Sequence, residues 1–224
     1  MSPIIFDLDG TLVDSAPLCA AIINEMLRER GSTRAVTEAD SREYLTKGGS
    51  QLVTALLGGD GGETQNDLEA FRDRYAARQT PADCLFPGVR DGLGALSRSG
   101  VRMAICSNKP QHLCDKIVAD LSLASFFEVV VGSVPGRPLK PAPDLANLAL
   151  KKFGAEAADC LYVGDSEVDR QTAAAAGIPF IFVTYGYAER GTEIDALARC
   201  DRFDELASVV TQRRNTSSIR RRVA

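Results

Sequence analysis

Only one histidine, His112, occurs in the 224 residues. It has no second imidazole to work with, so it is not read as a catalytic base. The chain also lacks the GxxxxGK[ST] signature, and nothing supports ATP binding through a P-loop. Its six cysteines, Cys19, Cys84, Cys106, Cys114, Cys160 and Cys200, are scattered without any CxxC spacing. Several sit in apolar runs as small hydrophobes do, so they are expected to be free thiols in a reducing cytoplasm. No apolar run approaches the ~20 residues needed to span a bilayer, and no basic stretch leads into an apolar signal core. The expectation is a protein neither secreted nor membrane-spanning. Neither sign of charge dominates: 26 basic against 30 acidic residues leave a net charge of −4, with no general electrostatic reason to bind nucleic acid or an anionic membrane.

The composition that remains, 45% hydrophobic and 25% charged, suits one globular core, alone or with a smaller insert. Five short runs, residues 4–8, 101–106, 128–132, 160–164 and 180–184, are mostly continuously apolar. Strands covered on both faces read this way. Helical patterns at 88–99, 111–121, 144–153 and 166–176 lie between the later runs. Strand alternating with helix predicts an α/β fold with a doubly wound parallel sheet.

About 90 residues separate the first two strands, where a crossover helix needs only a dozen or more. Within that interval Leu18, Ile22, Ile23, Met26 and Leu27 recur at helical spacing, and Gly31 follows as a stop. Thr37 to Asp40 resembles a capping box, Leu52, Val53, Leu56 and Leu57 form a second stripe, and Leu68, Phe71 and Tyr75 a third. A helical insert over residues 16–82 is therefore expected, hinged near Ser15 and near the TPADCLFPG stretch. The core would comprise residues 1–15 and 83–212, and the basic residues 213–224 are expected to form a disordered, solvated tail.

The segment FDLDGTLVDS sets Asp7 and Asp9 two apart at the end of the first strand. Such a spacing points both carboxylates the same way, about 6–7 Å apart, at the sheet edge where doubly wound folds bind ligands. Neighbouring carboxylates raise each other's pKa unless a cation compensates, which a bound Mg²⁺ would do. Gly10 lets the chain turn away, and Thr11 offers a hydroxyl. A lone strand-end Asp more often caps a turn. Three further features share its address. After the second strand come Ser107, Asn108 and Lys109, read as a hydroxyl, an amide and backbone N–H groups opening a helix, a setting for a phosphate oxygen. Lys140 stands in the stiff RPLKPAPD loop after the third. GDSEVD after the fourth places Asp165 and Asp169 four apart, a pattern for one direct and one outer metal ligand. Singly, each has a plain structural reading: a strand-end serine, a surface lysine, an N-cap.

Together, DLDGTLVD, the Ser-Asn pair, Lys-Pro and GDSEVD resemble the four motifs of the haloacid dehalogenase-like phosphohydrolases, over most of residues 3–187. The resemblance implies a Rossmann-like core with a helical cap. It also implies that Asp7 is the nucleophile and Asp9 the general acid and base, with Mg²⁺ held by Asp7, the Asp9 backbone carbonyl and Asp165. Ser107 and Lys140 would neutralise the phosphoryl group, Asp169 would order metal-bound water, and Thr11 would hold the acid–base carboxylate. Dehalogenating relatives lack the second Asp, and phosphonate-cleaving relatives depart there too, so phosphate ester hydrolysis is the expected chemistry. GDSEVD also departs from the Glu-Asp pair of related sugar-phosphate mutases, which disfavours returning phosphate to a product.

Thr46-Lys47-Gly48-Gly49 is an expected loop on the inner face of the insert. Lys47 there reads either as a contact to the non-reacting end of a small anionic substrate or as a solvated helix-end lysine; Thr11, Gly48 and Asn108 are further expected substrate contacts. VTYGYAERG and the continuous FDLDGTLVDSAP resemble bacterial phosphoglycolate phosphatases, which implies 2-phosphoglycolate as substrate. Tyr185 and Tyr187 are read as packing residues ahead of ligands. Another small sugar phosphate or phosphorylated metabolite remains open. A signalling receiver is disfavoured by the first-strand D-x-D and the large insert, and a binding protein that has lost catalysis is disfavoured by the intact acidic and lysine set. The expected assembly is a monomer or homodimer.

Overall fold

The computed structural model describes residues 2–45, 48–58, 64–189 and 191–210. Its centre is a parallel sheet of six strands: β1 (Ile4–Phe6), β2 (Met103–Pro110), β3 (Val129–Ser133), β4 (Leu161–Gly164), β5 (Phe180–Val183) and β6 (Ala198–Cys200). They lie in the order β3-β2-β1-β4-β5-β6. The order reverses direction at β1, whose Ile4 pairs with Met103 on one side and Leu161 on the other. Alternation along β1 feeds two cores. Ile4 and Phe6 enter the layer containing α5 (Val89–Arg98) and α6 (Gln111–Asp120). Ile5 enters the layer built on α7 (Asp144–Phe153) and α8 (Glu167–Ala175). Phe6 is fully buried and stacks on Phe203 at 5.9 Å. Truncating a core ring of this kind to alanine costs about 3–5 kcal/mol, so the strand that presents Asp7 is anchored at its root.

Between β1 and β2 stand four helices, α1 (Ala16–Glu29), α2 (Glu38–Leu45), α3 (Gly49–Leu57) and α4 (Thr64–Ala77), which pack on one another. Burial of Leu18, Ile22, Ile23, Met26 and Leu27 along one face of α1 follows the spacing seen in the sequence. At the start of α2 the Asp40 N–H donates to the Thr37 hydroxyl and the Thr37 N–H donates back to the Asp40 carboxylate, so the capping box is formed. The two chain crossings that join these helices to the sheet run side by side. Val13 and Leu85 form an antiparallel bridge, the Asp14 N–H donates to Cys84 O at 2.7 Å, and the Phe86 N–H donates to Leu12 O at 3.1 Å.

The structure differs from the sequence expectation at two places in the sheet. A sixth strand, β6, pairs with β5 at the edge. Its three residues, Ala-Arg-Cys, supply no apolar run. Strand β2 also runs on to Pro110 with a shift in register between Cys106 and Pro110, so Ser107, Asn108 and Lys109 sit in a bulged strand end rather than opening a helix. Helix α6 begins only at Gln111, after Pro110. A bulge bends its strand and re-aims side chains, and here it turns three polar residues toward the carboxyl edge.

Candidate active site

Four motif segments end at the carboxyl edge of β1, β2, β3 and β4, on both sides of the point where the strand order reverses. Carboxylate oxygens of Asp7, Asp165 and Asp169 lie within 4.8 Å of one another, all buried. Lys140 is buried among them, its ammonium 2.7 Å from Asp7 Oδ1 and 2.7 Å from Asp169 Oδ1. Burial first, then the Asp169 charge, pushes the Asp7 carboxyl up to about 7, with Lys140 pulling the other way. Burial and Asp169 raise Asp165 as well. Burial opposes the charge on Lys140, but Asp169 and Asp7 outweigh it and hold the ammonium above its ordinary range.

Helix α8 organises the far side of this cluster. Ser166 is its N-cap, accepting from the Asp169 N–H at 3.2 Å and donating its hydroxyl to Asp169 Oδ2 at 2.6 Å. The N-cap reading of Ser166 and the site reading of its neighbours thus hold together. Asp165 accepts the Tyr187 N–H at 2.6 Å and the Thr11 hydroxyl at 3.3 Å. Thr11 is fully buried and does not line the cavity; it braces Asp165, where the sequence had suggested Asp9 or substrate. Gly10 makes this closeness possible: at φ +85° it is already in the glycine region, and a Cβ there would fall 2.1 Å from Asp165 Oδ2.

Asp9 is held differently. Its Oδ2 pairs with the Lys109 ammonium at 3.1 Å, and its Oδ1 accepts the Ser15 hydroxyl. Lys109 is itself buried, lying over the Tyr75 ring of α4 at 4.5 Å from the centroid. Burial opposes its charge, yet Asp9 and the surrounding groups hold its pKa above the ordinary range. The Tyr75 hydroxyl donates to Ser15 Oγ at 3.5 Å, closing a ring of contacts between core and insert. From the sequence, Lys109 is expected to act only through its backbone N–H and Ser15 only as a hinge. A lysine inside an otherwise assigned Ser-Asn-Lys motif was the available signal.

Asn108 and Ser107 divide the remaining work. Both polar ends of the Asn108 amide bond the Lys140 backbone: Asn108 Nδ2 donates to its carbonyl at 3.1 Å and Oδ1 accepts its N–H at 2.7 Å. Asn108 therefore clamps the lysine loop, and its polar atoms are engaged before any substrate arrives. Ser107 Oγ accepts the Lys109 N–H at 3.2 Å, which leaves its O–H free to donate.

These groups line a cavity of about 90 Å³ that also includes Gly48, Gly49, Leu45, Phe71 and Arg72 from the insert. Lys47 lies outside the described residues. The exposed His112 lies outside the cavity, in keeping with its exclusion as a base. Tyr185 and Tyr187 do not line it either. The Tyr185 hydroxyl donates to Thr11 O at 2.9 Å, and the Tyr187 hydroxyl accepts the Ser15 N–H at 2.7 Å and donates to Asp14 Oδ1 at 3.0 Å. Both rings pack on Phe86, so the tyrosines brace the chain crossings. Arg42 of α2 reaches the same Asp14 at 2.7 Å. All six cysteines are free and buried, and among the described residues no helix is long and apolar enough to cross a membrane.

A divalent cation fits this donor set. Three clustered, buried carboxylates face one ammonium, so the cluster carries negative charge that Lys140 alone does not balance. Hard oxygen donors of this kind suit Mg²⁺.

Comparison with known proteins agrees with the geometry. The family model for haloacid dehalogenase-like hydrolases matches residues 4–183. Phosphoglycolate phosphatase of Rhodobacter capsulatus is 37% identical over 216 residues, covering 93% of this chain and 95% of that protein. A plasmid-encoded phosphoglycolate phosphatase of Cupriavidus necator is 34% identical over 217 residues, with 94% of each covered. Among solved structures, a predicted phosphoglycolate phosphatase from Haemophilus somnus superposes with a TM-score of 0.79 at 26% identity, over 94% of this chain and 98% of that one. The chain belongs to the haloacid dehalogenase-like hydrolase family, on its phosphatase branch.

Proposed function

We propose that the protein is a Mg²⁺-dependent phosphomonoesterase that works through an aspartyl-phosphate on Asp7, with 2-phosphoglycolate as its substrate. The observation that carries the reading is the buried Asp7–Lys140 pair at 2.7 Å, set in a small cavity with Asp9, Ser107 and Asp165 on its walls. In the first step an Asp7 oxygen attacks phosphorus, the ester P–O bond breaks, and Asp9 gives a proton to the departing alkoxide. In the second, Asp9 takes a proton from the water that attacks the acyl phosphate, releasing inorganic phosphate and restoring Asp7. General acid–base help of this kind is worth about 10²–10⁴-fold. Lys140 has three N–H groups, of which two are engaged by Asp7 and Asp169, so the third is free for a phosphoryl oxygen. The Ser107 hydroxyl serves a second oxygen. A Mg²⁺ held by Asp7, the Asp9 carbonyl and Asp165, with Asp169 beyond, would supply positive charge against the phosphoryl oxygens.

The substrate assignment draws on relatives of 34–37% identity that are named phosphoglycolate phosphatases, and on a cavity of about 90 Å³ that suits a small ester. Six free, buried thiols are compatible with a cytoplasmic location. The test is a panel of small phosphate esters, with and without Mg²⁺, on wild type and Asp7→Asn. Turnover of 2-phosphoglycolate above other esters, dependent on Mg²⁺ and lost in Asp7→Asn, is expected. Near-normal turnover by that variant refutes the nucleophile; preference for another metabolite refutes the substrate alone.

A further inference from the structure

Three cations among the described residues line the catalytic cavity: Lys140, Lys109 and Arg72. Lys140 is engaged by Asp7 and Asp169, and Lys109 by Asp9. Arg72 has no carboxylate partner and no side-chain hydrogen bond among the described residues. Two arginines just beyond it in the chain make the contrast plain. Arg74 pairs with Glu29 at 2.5 Å, and Arg78 pairs with Glu25, both on α1. Arg72 instead follows the buried Phe71 and reaches the cavity from the insert, on the wall that also carries Leu45, Gly48 and Gly49. The catalytic wall opposite already holds the cations a phosphoryl group needs.

We propose that Arg72 determines specificity by binding a second anionic group of the substrate, a carboxylate close to the ester oxygen. A guanidinium offers paired N–H donors that match a carboxylate, and a charge-assisted pair away from bulk water is stronger than a neutral one. The small cavity sets Arg72 on the wall across from the phosphoryl-binding groups, which places that carboxylate near the phosphate. A neutral ester of the same length leaves Arg72 without a partner among the described residues, which is a penalty against binding it. The inference rests on the phosphomonoesterase reading and refines it: recognition of the acid comes from α4.

The experiment compares 2-phosphoglycolate with 2-hydroxyethyl phosphate, in which a hydroxymethyl group replaces the carboxylate. The readout is the ratio of kcat/KM for the two esters in wild type, Arg72→Met and Arg72→Lys. Removing a charge-assisted pair is expected to lower that ratio roughly 10- to 100-fold in Arg72→Met, with Arg72→Lys retaining part of it. Because both esters meet the same protein, a general loss of stability or of catalytic geometry cancels. An unchanged ratio in Arg72→Met, beside a wild type that prefers 2-phosphoglycolate, overturns the role of Arg72 and leaves the substrate in place. A wild type that prefers a longer acidic ester, with the Arg72→Met loss confined to acidic esters, removes 2-phosphoglycolate and supports Arg72. No wild-type preference for acidic over neutral esters overturns both.

Discussion

Replacing Lys109 by methionine tests whether Asp9, the proposed acid and base, is aimed by a partner the motifs do not specify. The Lys109 and Asp9 side chains are 9% and 16% exposed and 3.1 Å apart. At an effective dielectric of 20, two unit charges at that distance attract by about 5 kcal/mol, most of it offset by the desolvation of both groups. Breaking such a pair from one side costs about 3–5 kcal/mol, because the remaining charge is stranded. Asp9 keeps some solvent and its Ser15 bond, which puts the loss at the lower end, about 3 kcal/mol. For a chain of this size that is a fall of roughly 6–12 °C in the unfolding midpoint. Catalysis should suffer selectively. The value of kcat/KM covers only the step up to loss of the alcohol, where an alkoxide needs a proton and an activated aryl leaving group needs little. Lys109→Met should therefore lower kcat/KM for an alkyl phosphate at least tenfold more than for p-nitrophenyl phosphate. Equal losses on both esters, or a midpoint within 2–3 °C of wild type, would refute the reasoning.

Other outcomes follow from the same geometry. Gly10→Ala should lose most of its activity and unfold at lower temperature, since its Cβ would meet Asp165 at 2.1 Å; wild-type melting by that variant contradicts the close packing. Mg²⁺ at about 100 times its dissociation constant should stabilise the fold by about 2.7 kcal/mol in thermal unfolding, and Asp165→Asn should shrink that gain. Asp120 accepts both the N–H and the hydroxyl of Thr80 at 2.9 Å, and pairs with Lys116. Burial works against its charge, but the Lys116 and Thr80 contacts hold its pKa below the ordinary carboxylate value. Its contribution is therefore present above the unfolded-state pKa and lost as pH falls through the lower folded one. Proteolysis near residue 80 should accelerate on acidification across that range, and the dependence should vanish in Asp120→Asn.

The parts of this protein legible in its sequence are those governed by local spacing. Continuous apolar runs mark five strands because each is covered on two faces, and α7 begins and ends where its pattern does. Strand β6 was invisible because a three-residue edge strand with Arg199 on its open side needs no pattern. The motif carboxylates and Lys140 could be read as one site because strand ends converge in a doubly wound sheet. Their partners could not. Lys109 meets Asp9 only after a bulge re-aims it. Arg72 sits on a helix whose register toward the cavity depends on how the four inserted helices pack, and Thr11 turns to Asp165 because Gly10 lets the loop close.

The side-by-side chain crossings at Val13 and Leu85 carry a mechanical consequence. Two strands of backbone tied by the Asp14–Cys84 and Phe86–Leu12 hydrogen bonds form one double-pinned joint. A single tether would leave twist and lateral slip of the inserted helices unopposed; a paired one opposes both. Tyr187, bonded to Ser15 and Asp14 and anchored through its own N–H to Asp165, ties that joint to the metal-site carboxylate. Arg72 and Gly48 thus face Asp7 across the cavity in a placement set by the paired crossings before any substrate binds.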